Sequence, residues 1–227
     1  MMGYSDLPFR MLMSLLVPNA ALYTPMFVDQ AVIHGGVKFD KEVSLKPVIL
    51  QLGGGNQSLL AEATKRIPEN LYSGINLNVG CPSQRVQHAN IGACLMKSPE
   101  HVATLYQSMQ SSTTLPVSIK CRIGVDDHAS YSDLKSFVDT VASAGCRSFV
   151  VHARAAWLQG VNPKQNRDVP PLNYKAVYEL KRAIPALEIV INGGIVTYDG
   201  FRQHLSQVDG VMVGRLAIDD PYALHTI

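Results

Sequence analysis

The feature that most constrains this fold is a regular alternation of short apolar strands with amphipathic helices. Seven segments rich in β-branched residues recur along the 227-residue chain, about one every 30 residues. They begin at Ala21, Pro47, Gly74, Pro116, Ser148, Glu188 and Gly210. Segments with helical periodicity lie between them, at residues 58–66, 99–109, 131–143 and 173–184. Strands that alternate with helices of this length are typical of βαβ units and a parallel sheet.

The regularity of the repeat predicts an α/β fold, a (β/α)8 TIM barrel, rather than an open doubly wound sheet. No G-x-G-x-x-G motif follows the first strand, which weakens the open-sheet alternative. A barrel needs eight strands, and the chain starts with what reads as a βα loop and a helix, GYSDLPFRMLMSLL. We therefore expect that most of the first strand precedes Met1, and that residues 1–227 are a fragment.

Composition excludes several classes of protein. Twenty basic residues against eighteen acidic ones give a net charge of +2, so no overall basic character predicts a nucleic-acid binder. An RNA partner would have to be recognised locally. The four cysteines form no C-x-x-C pair, which argues against a structural zinc site and a disulfide framework. No apolar run reaches the ~20 residues of a membrane helix. The N-terminus lacks the layout of a signal peptide, so we expect a cytoplasmic protein with no membrane partner.

Polar or cationic residues end nearly every predicted strand. In a barrel these ends meet at one rim, where catalytic residues lie. The polar side chains are Thr24, Gln51, Asn76, Asn78, Lys120, Arg122, His152, Arg154, Asn192 and Arg215. His152 has no second histidine or carboxylate beside it at the rim, so no metal site is expected. This argues against metal-assisted hydrolysis.

Two glycine-containing segments near the end of the chain indicate a phosphate site. INGGI, residues 191–195, follows the strand from Glu188, and VGR, residues 213–215, follows the strand from Gly210. Barrel enzymes frequently hold a phosphate in the loops after the last two strands, through backbone N–H groups and a helix N-terminus. Arg215 would add a forked contact. Either glycine pair alone could be a simple turn, but their occurrence after adjacent strands favours the phosphate.

Three side chains at the rim have chemistry to offer. Lys120 could form a Schiff base or donate to an electron-rich cofactor ring. His152 could be a base, a ligand or a satisfied rim histidine. Cys81, between Gly80 and Pro82, opens a polar loop of more than a dozen residues. It could act as a nucleophile or, since no histidine adjoins it, as a general acid. Cys94, Cys121 and Cys146 are expected to be buried and inert.

Six motifs occur in order along essentially the whole chain. They are INLNVGCPSQRVQ with GACLM, the K-x-R-x-G of residues 120–124, HARAAWLQG, PKQNRDVPPLNY, INGG and DGVMVGR. Together they resemble the flavin-dependent tRNA-dihydrouridine synthases. The long segment from HAR to PPLNY resembles the bacterial subfamily, of the A type, that acts on D-loop uridines 20 and 20a of tRNA.

The resemblance implies the cofactors, the substrate and the site residues. FMN would lie across the barrel mouth, with NADPH as its reductant, and hydride would reach C6 of uracil while Cys81 protonates C5. The implied cofactor contacts are Met1, Met2, Gln51, Lys120, His152, Asn192, Gly193, Gly194, Gly214 and Arg215. Asn78, Lys164 and Arg167 resemble the residues that position the tRNA and its target uridine.

The resemblance also sets the alternatives. The family has a C-terminal helical domain that grips tRNA, and we expect residues 1–227 to contain only the FMN-binding barrel domain. A dihydroorotate dehydrogenase type of barrel would share Lys120 and the glycine loops, but the long cationic HAR-to-PPLNY segment argues against it. A truncated barrel that binds flavin or RNA without turnover is the second alternative. An aldolase using Lys120 is a distant third. No protein partner is predicted.

Overall fold

Seven strands form one parallel sheet in the computed structural model, which describes residues 3–39 and 47–225. The strands are β1 (Leu22–Val28), β2 (Val48–Gly53), β3 (Gly74–Val79), β4 (Val117–Arg122), β5 (Ser148–His152), β6 (Glu188–Asn192) and β7 (Gly210–Met212). Each begins at its predicted position or one residue later. All seven predicted strands are therefore confirmed.

The order of the strands separates the two predicted architectures. A doubly wound sheet reverses its strand order at a switch point. Here every strand pairs in parallel with the next strand along the chain, from β1 to β7. The chain is thus wound in one direction, as in the wall of a barrel. The fold is of the α/β class, with a seven-stranded parallel sheet compatible with a TIM barrel.

The sheet curls until its two edges share one apolar cluster. Met13, from the first helix, packs with Ala217 and Leu224 from the last described segment. Leu22 on β1 and Val213, directly after β7, border the same cluster. The two edges of a flat seven-stranded sheet would lie roughly 30 Å apart, so the sheet must be strongly curved.

Helices link the strands and cover the outer face. Within the described residues they are α1 (Leu7–Leu16), α2 (Asp29–Ile33), α3 (Gln57–Lys65), α4 (Gln84–Gln87), α5 (Pro99–Gln110), α6 (Tyr131–Ser143), α7 (Tyr174–Ala183), α8 (Tyr198–Leu205) and α9 (Arg215–Asp219). Short 3₁₀ turns lie at Glu69–Leu71, Gly92–Lys97, Gln165–Arg167 and Pro221–Leu224. The four predicted helical segments correspond to α3, α5, α6 and α7. No helix in the described ranges is both long and apolar enough to cross a membrane.

The starts of the main helices follow from their capping residues. The side chain of Asn56 accepts from Leu59 N before α3, and that of Asn173 accepts from Ala176 N before α7. Ser130 forms a capping box with Asp133 at the start of α6. Each such cap stabilises its helix by about 1 kcal/mol because it satisfies a backbone N–H group that has no intrahelical partner.

Side chains along each strand point alternately to the core under the helices and to the inner face of the curled sheet. On β4, Ile119 and Cys121 belong to the fully buried core between sheet and helices. Successive side chains point to opposite faces, so Ser118, Lys120 and Arg122 point to the concave inner face. The sequence of β4 therefore builds an apolar outer layer and a polar, cationic interior.

The segment after β3 is not the continuous polar loop that the sequence predicts. It contains α4 and the 3₁₀ turn Gly92–Lys97. The chain turns back at Gly92, whose φ is +81°, and Ala93 N then donates to Cys81 O over 2.9 Å. A Cβ on residue 92 would lie 2.5 Å from Cys81 O, so only glycine permits this return.

Candidate functional site

A cavity of about 640 Å³ opens at the C-terminal ends of the strands. Every strand contributes a lining residue, in chain order Met26, Gln51, Asn78, Lys120, His152, Asn192 and Met212. This volume lies in the range of roughly 300–1,000 Å³ that small-molecule sites occupy. Because β1 and β7 both reach it, the cavity is the mouth of the curled sheet, where barrel enzymes carry their active sites.

Most of the residues predicted for the site line this one cavity. They are Gln51, Asn78, Cys81, Lys120, His152, Arg167, Asn192, Gly193, Gly194, Gly214 and Arg215. Lys164 is exposed and does not line the cavity, although its neighbour Pro163 does. Met1 and Met2 lie outside the described residues. The structure thus brings together eleven of the fourteen predicted positions.

Lys120 is held in the interior by an amide from a strand two places away. Its Nζ donates to Asn192 Oδ1 over 3.1 Å, and Asn192 Nδ2 donates to Met212 O over 2.7 Å. Burial, followed by the charge of Arg122, lowers the pKa of Lys120 to about 8. The side chain is therefore still mostly an ammonium ion at pH 7, and its position is fixed.

His152 is a neutral ring packed against the glycine loop. Burial, and then the positive charges of Arg122 and Lys120, hold the pKa of His152 well below its usual value of 6.5. A Cβ on Gly193 would lie 2.3 Å from His152 Cδ2. Residue 193 must therefore be glycine for the ring to occupy its place, and an uncharged imidazole can either donate or accept a hydrogen bond there.

The glycine loop presents backbone N–H groups that the described residues leave open. Gly193 has a φ of +111° and Gly194 a φ of +68°. No acceptor in residues 3–39 and 47–225 receives the N–H of Gly193, Gly194 or Gly214. Gly193 is buried, and a buried donor without a partner is rare in proteins. Open N–H groups at a loop of this kind are what a bound phosphate requires.

The charge of the cavity favours an anion. Among the described residues, its lining includes Arg85, Lys120, Arg122, Arg167 and Arg215 but no aspartate or glutamate. Arg215 has a counter-charge outside the lining, since Asp168 Oδ1 accepts from Arg215 Nη1 over 2.7 Å. Like charges gathered in a concave site raise the local concentration of anionic ligands.

A chain of hydrogen bonds fixes the direction of each amide inside the sheet. Asn78 Oδ1 accepts from the backbone N–H groups of Gly80 and Cys81, over 3.1 and 2.9 Å. Because backbone nitrogens can only donate, the oxygen of Asn78 must face them. Its Nδ2 then donates to Gln51 Oε1 over 2.9 Å, and Gln51 Nε2 donates to Asn76 Oδ1 over 2.8 Å. Toward a ligand, Asn78 therefore offers one free N–H group and no acceptor.

Cys81 lies at one end of this series of hydrogen bonds, where its backbone N–H donates to Asn78. It is a half-buried free thiol that lines the cavity, and Asn78 holds its backbone N–H. Gln87 Nε2 ties the next residue by donating to Pro82 O over 2.8 Å and to Leu158 O over 3.2 Å. The thiol is thus presented by a loop that is anchored on both sides.

The other cysteines differ from Cys81 as predicted, except in one respect. Cys121 and Cys146 are buried, and burial raises the pKa of each to about 12. Cys94 was expected to be buried, which is wrong, because it is half-buried in the turn that returns toward Cys81. It does not line the cavity.

Two important side chains have roles that the sequence does not reveal. Arg122 was predicted to lie at the rim and to belong to the K-x-R-x-G motif, but no role was predicted for its guanidinium, which contacts three separate backbone segments. Its spacing from Lys120 could have placed it on the same inner face. Asp168 pairs with Arg215 across 47 residues of sequence, and no local pattern predicts that contact.

In the part of the chain that the structure describes, no group of three or more histidine, cysteine, aspartate or glutamate side chains could hold a metal ion. The cavity lining offers the thiol of Cys81, the amides of Gln51, Asn78 and Asn192, and several cations.

Comparisons with known proteins agree with one another. The family model described as Dihydrouridine synthase (Dus) matches residues 1–227. A protein of Synechocystis sp. called tRNA-dihydrouridine(20/20a) synthase is 50% identical over 231 residues, covering 100% of this chain and 69% of its own length. Proteins of the same name from Shewanella oneidensis and Xanthomonas campestris pv. campestris are each 48% identical, covering 100% of this chain and 68% of their own lengths.

Proposed function

The chain belongs to the dihydrouridine synthase family, and from this premise we propose that it reduces the C5=C6 bond of uridines 20 and 20a in tRNA. The observation that carries the proposal is that Cys81, Asn78 and Lys120 line one cavity, whose described lining residues include no carboxylate. We propose further that the curled sheet is the wall of an eight-stranded TIM barrel, and that residues 1–227 act as its catalytic domain. A tRNA substrate would place the enzyme in the cytoplasm.

The cavity fits FMN as the cofactor. The open N–H groups of Gly193, Gly194 and Gly214 would hold its phosphate, together with Arg215. Gln51, Lys120 and His152 would contact the ring system, and Asn192 would orient Lys120 toward it. Met1 and Met2 remain proposed ring contacts outside the described residues.

When bound, FMN would carry hydride from NADPH to C6 of the uracil. The chain's own contribution is the second half of the reduction, in which Cys81 gives a proton to C5. A general acid must lie within reach of the carbon that it protonates. The anchored loop around Cys81 supports this role, because it fixes the thiol at the cavity wall.

Asn78 would recognise the base through its one free N–H group. Since its oxygen is already used by Gly80 and Cys81, the atom opposite Asn78 must be an acceptor, such as a carbonyl oxygen of uracil. Charge develops on such an oxygen during reduction, and a fixed donor stabilises it. Asn78 would therefore position the substrate and, through Cys81 N–H, the acid as well.

Lys164 and Arg167 would contact the tRNA outside the ring pocket. Lys164 is exposed beside Pro163 at the edge of the cavity, and Arg167 lines the cavity itself. A target uridine must leave its stack to enter a site of this size. Cations at the rim can hold the neighbouring phosphates while the base is turned inward.

The test is a comparison of two half-reactions in the wild type and Cys81→Ala. With FMN bound, NADPH should reduce the flavin at equal rates in both proteins, followed by absorbance. Dihydrouridine formation in tRNA, measured by mass spectrometry of nuclease digests, should fall by about 10²–10⁴-fold in Cys81→Ala. Equal tRNA reduction in both would remove Cys81 from the role. Reduction of free orotate by the wild type, with no product in tRNA, would instead support the dihydroorotate dehydrogenase type.

A further inference from the structure

Arg122 is a buried cation with no counter-ion among the described residues. The residue is 4% exposed at the end of β4. It takes part in none of the ion pairs within residues 3–39 and 47–225. Burial lowers the pKa of Arg122 only to about 10, so the guanidinium is charged at neutral pH. An unpaired buried charge is strongly unfavourable. A buried cation of this kind at the wall of a site is suited to bind an anion that forms there during the reaction.

Three backbone carbonyls hold the guanidinium in one orientation. Arg122 Nε donates to Gly80 O over 3.1 Å, and Nη1 donates to Ala155 O over 3.2 Å and to Asn166 O over 2.9 Å. Gly80 directly precedes Cys81. The guanidinium is therefore fixed against the carbonyl of the residue before Cys81, by groups that cannot neutralise its charge.

The remaining nitrogen of the Arg122 guanidinium is Nη2. Nη2 donates to no acceptor within the described residues. It is also not one of the fully buried polar atoms that lack a partner. Nη2 therefore keeps two N–H donors available, on a residue that lines the cavity.

We propose that Arg122 is the counter-ion of the thiolate that Cys81 becomes when it protonates the substrate. The inference rests on the proposed function. In that step the S–H bond breaks, a C–H bond forms at C5, and the bonding pair of the thiol stays on sulfur. The negative charge left on the pyrimidine by hydride delivery from the reduced flavin ends on Cys81. A proton from water later restores the thiol.

Other cations lie in the same cavity as Cys81. Lys120, Arg85, His152 and Arg167 line the same cavity, and all are cationic or neutral. The Gly92–Lys97 turn, which packs on Cys81, contributes Lys97, but this residue is paired with Asp126 over 2.9 Å. Lys120 is bonded to Asn192. Cys81 is the first electrostatic influence on the pKa of Arg122 after burial. Arg122 therefore acts through Cys81, as a positioning residue.

The experiment measures the pH dependence of Cys81 alkylation by iodoacetamide, quantified by mass spectrometry of the Cys81 peptide in the FMN-loaded protein. Only the thiolate reacts. In Arg122→Met and Arg122→Gln, the midpoint should move at least about 1 pH unit higher, the size expected for loss of an adjacent opposite charge. Arg122→Lys keeps the charge but not the fork, and its midpoint should move less than half as far.

Two controls separate local charge from global effects. Arg147→Met removes one positive charge just before β5, at the opposite end of the strands, and should leave the Cys81 midpoint unchanged. Cys94 serves inside each sample, because the one side-chain charge that influences its pKa is Lys97. Its alkylation profile should be the same in all variants.

Three results would overturn the inference. They are unchanged midpoints in the neutral variants, equal shifts in Arg122→Lys and Arg122→Gln, or a shift of the same size in Arg147→Met. If the neutral variants do not fold, a full 1-unit shift in Arg122→Lys would be sufficient to reject it. The alkylation assay needs no tRNA, so failure of wild-type protein to reduce tRNA would refute the proposed function separately.

Discussion

Lys120 Nζ, on β4, donates to Asn192 Oδ1, on β6, over 3.1 Å. The bond joins two strands that are not neighbours in the sheet, and both residues line the cavity. Asn192 is itself held by Met212 O on β7. Residues of three strands, β4, β6 and β7, thus hold one buried cation in place, and the protein must bear the free-energy cost of its burial.

Burial of Lys120 predicts a characteristic pH dependence of stability. Its pKa falls from 10.5 to about 8 in the folded chain, so between these pH values the unfolded chain binds more protons than the folded one. Stability rises with pH wherever the unfolded state binds more protons. The urea-derived free energy of unfolding of the wild type should therefore rise relative to that of Lys120→Met from pH 8 to pH 10. Parallel curves for the two proteins would contradict the burial of the charge.

Gly193 should be intolerant of a side chain for two separable reasons. Gly193→Ala would place its Cβ 2.3 Å from His152 Cδ2 and would strain a backbone with φ of +111°. Gly35→Ala has the second problem alone, since its φ is +72° and nothing lies within 4 Å. Both variants should lose about 1 kcal/mol or more in urea unfolding.

Only Gly193→Ala should also weaken FMN binding, by about tenfold or more, when the cofactor is titrated by fluorescence quenching. A tenfold change corresponds to about 1.4 kcal/mol, the size of one lost hydrogen bond. Equal FMN affinity in the two glycine variants would show that the loop does not carry the cofactor.

The fold was predictable because its determinants are local. β-branched runs and capping residues such as Asn56, Ser130 and Asn173 specify the strands and helices within a few residues of themselves. Most of the cavity residues could also be predicted from their positions at strand ends, because the last side chains of parallel strands meet at one rim.

The features of the site that the sequence did not predict depend on contacts between distant segments. No sequence pattern near Arg122 predicts that its guanidinium donates to Gly80 O, Ala155 O and Asn166 O. The hydrogen bonds that join Asn78 to Gln51, and Gln51 to Asn76, likewise exist only after β2 and β3 have paired. The short helix α4 was missed because a four-residue turn has too little periodicity to detect.

The two functions of Asn78 can be separated by two substitutions. Asn78→Asp keeps an oxygen for the N–H groups of Gly80 and Cys81 but removes the amide N–H, whereas Asn78→Ala removes both. Urea unfolding should show a loss of about 1–3 kcal/mol in Asn78→Ala and a smaller loss in Asn78→Asp, because unsatisfied backbone donors are costly. Reduction of tRNA should nevertheless fall at least about tenfold in both. Normal tRNA turnover in Asn78→Asp would show that the amide donor is not used on the substrate.

The Asp168–Arg215 pair should regulate the affinity for the cofactor phosphate. Asp168 Oδ1 accepts from Arg215 Nη1 over 2.7 Å, and Arg215 lines the same cavity as the glycine loop. The pair is exposed, with 48% and 39% of the side chains accessible, so Asp168→Asn should change the free energy of unfolding by less than about 1 kcal/mol.

Removing a charge of the same sign as the phosphate should tighten FMN binding by about two- to tenfold at low salt, and Arg215→Ala should weaken it by about tenfold or more. Asp139→Asn, in the exposed pair with Lys135 on α6, matches the charge change away from the cavity and should leave FMN affinity unaltered. Weaker FMN binding in Asp168→Asn would mean instead that Asp168 orients Arg215 for the phosphate.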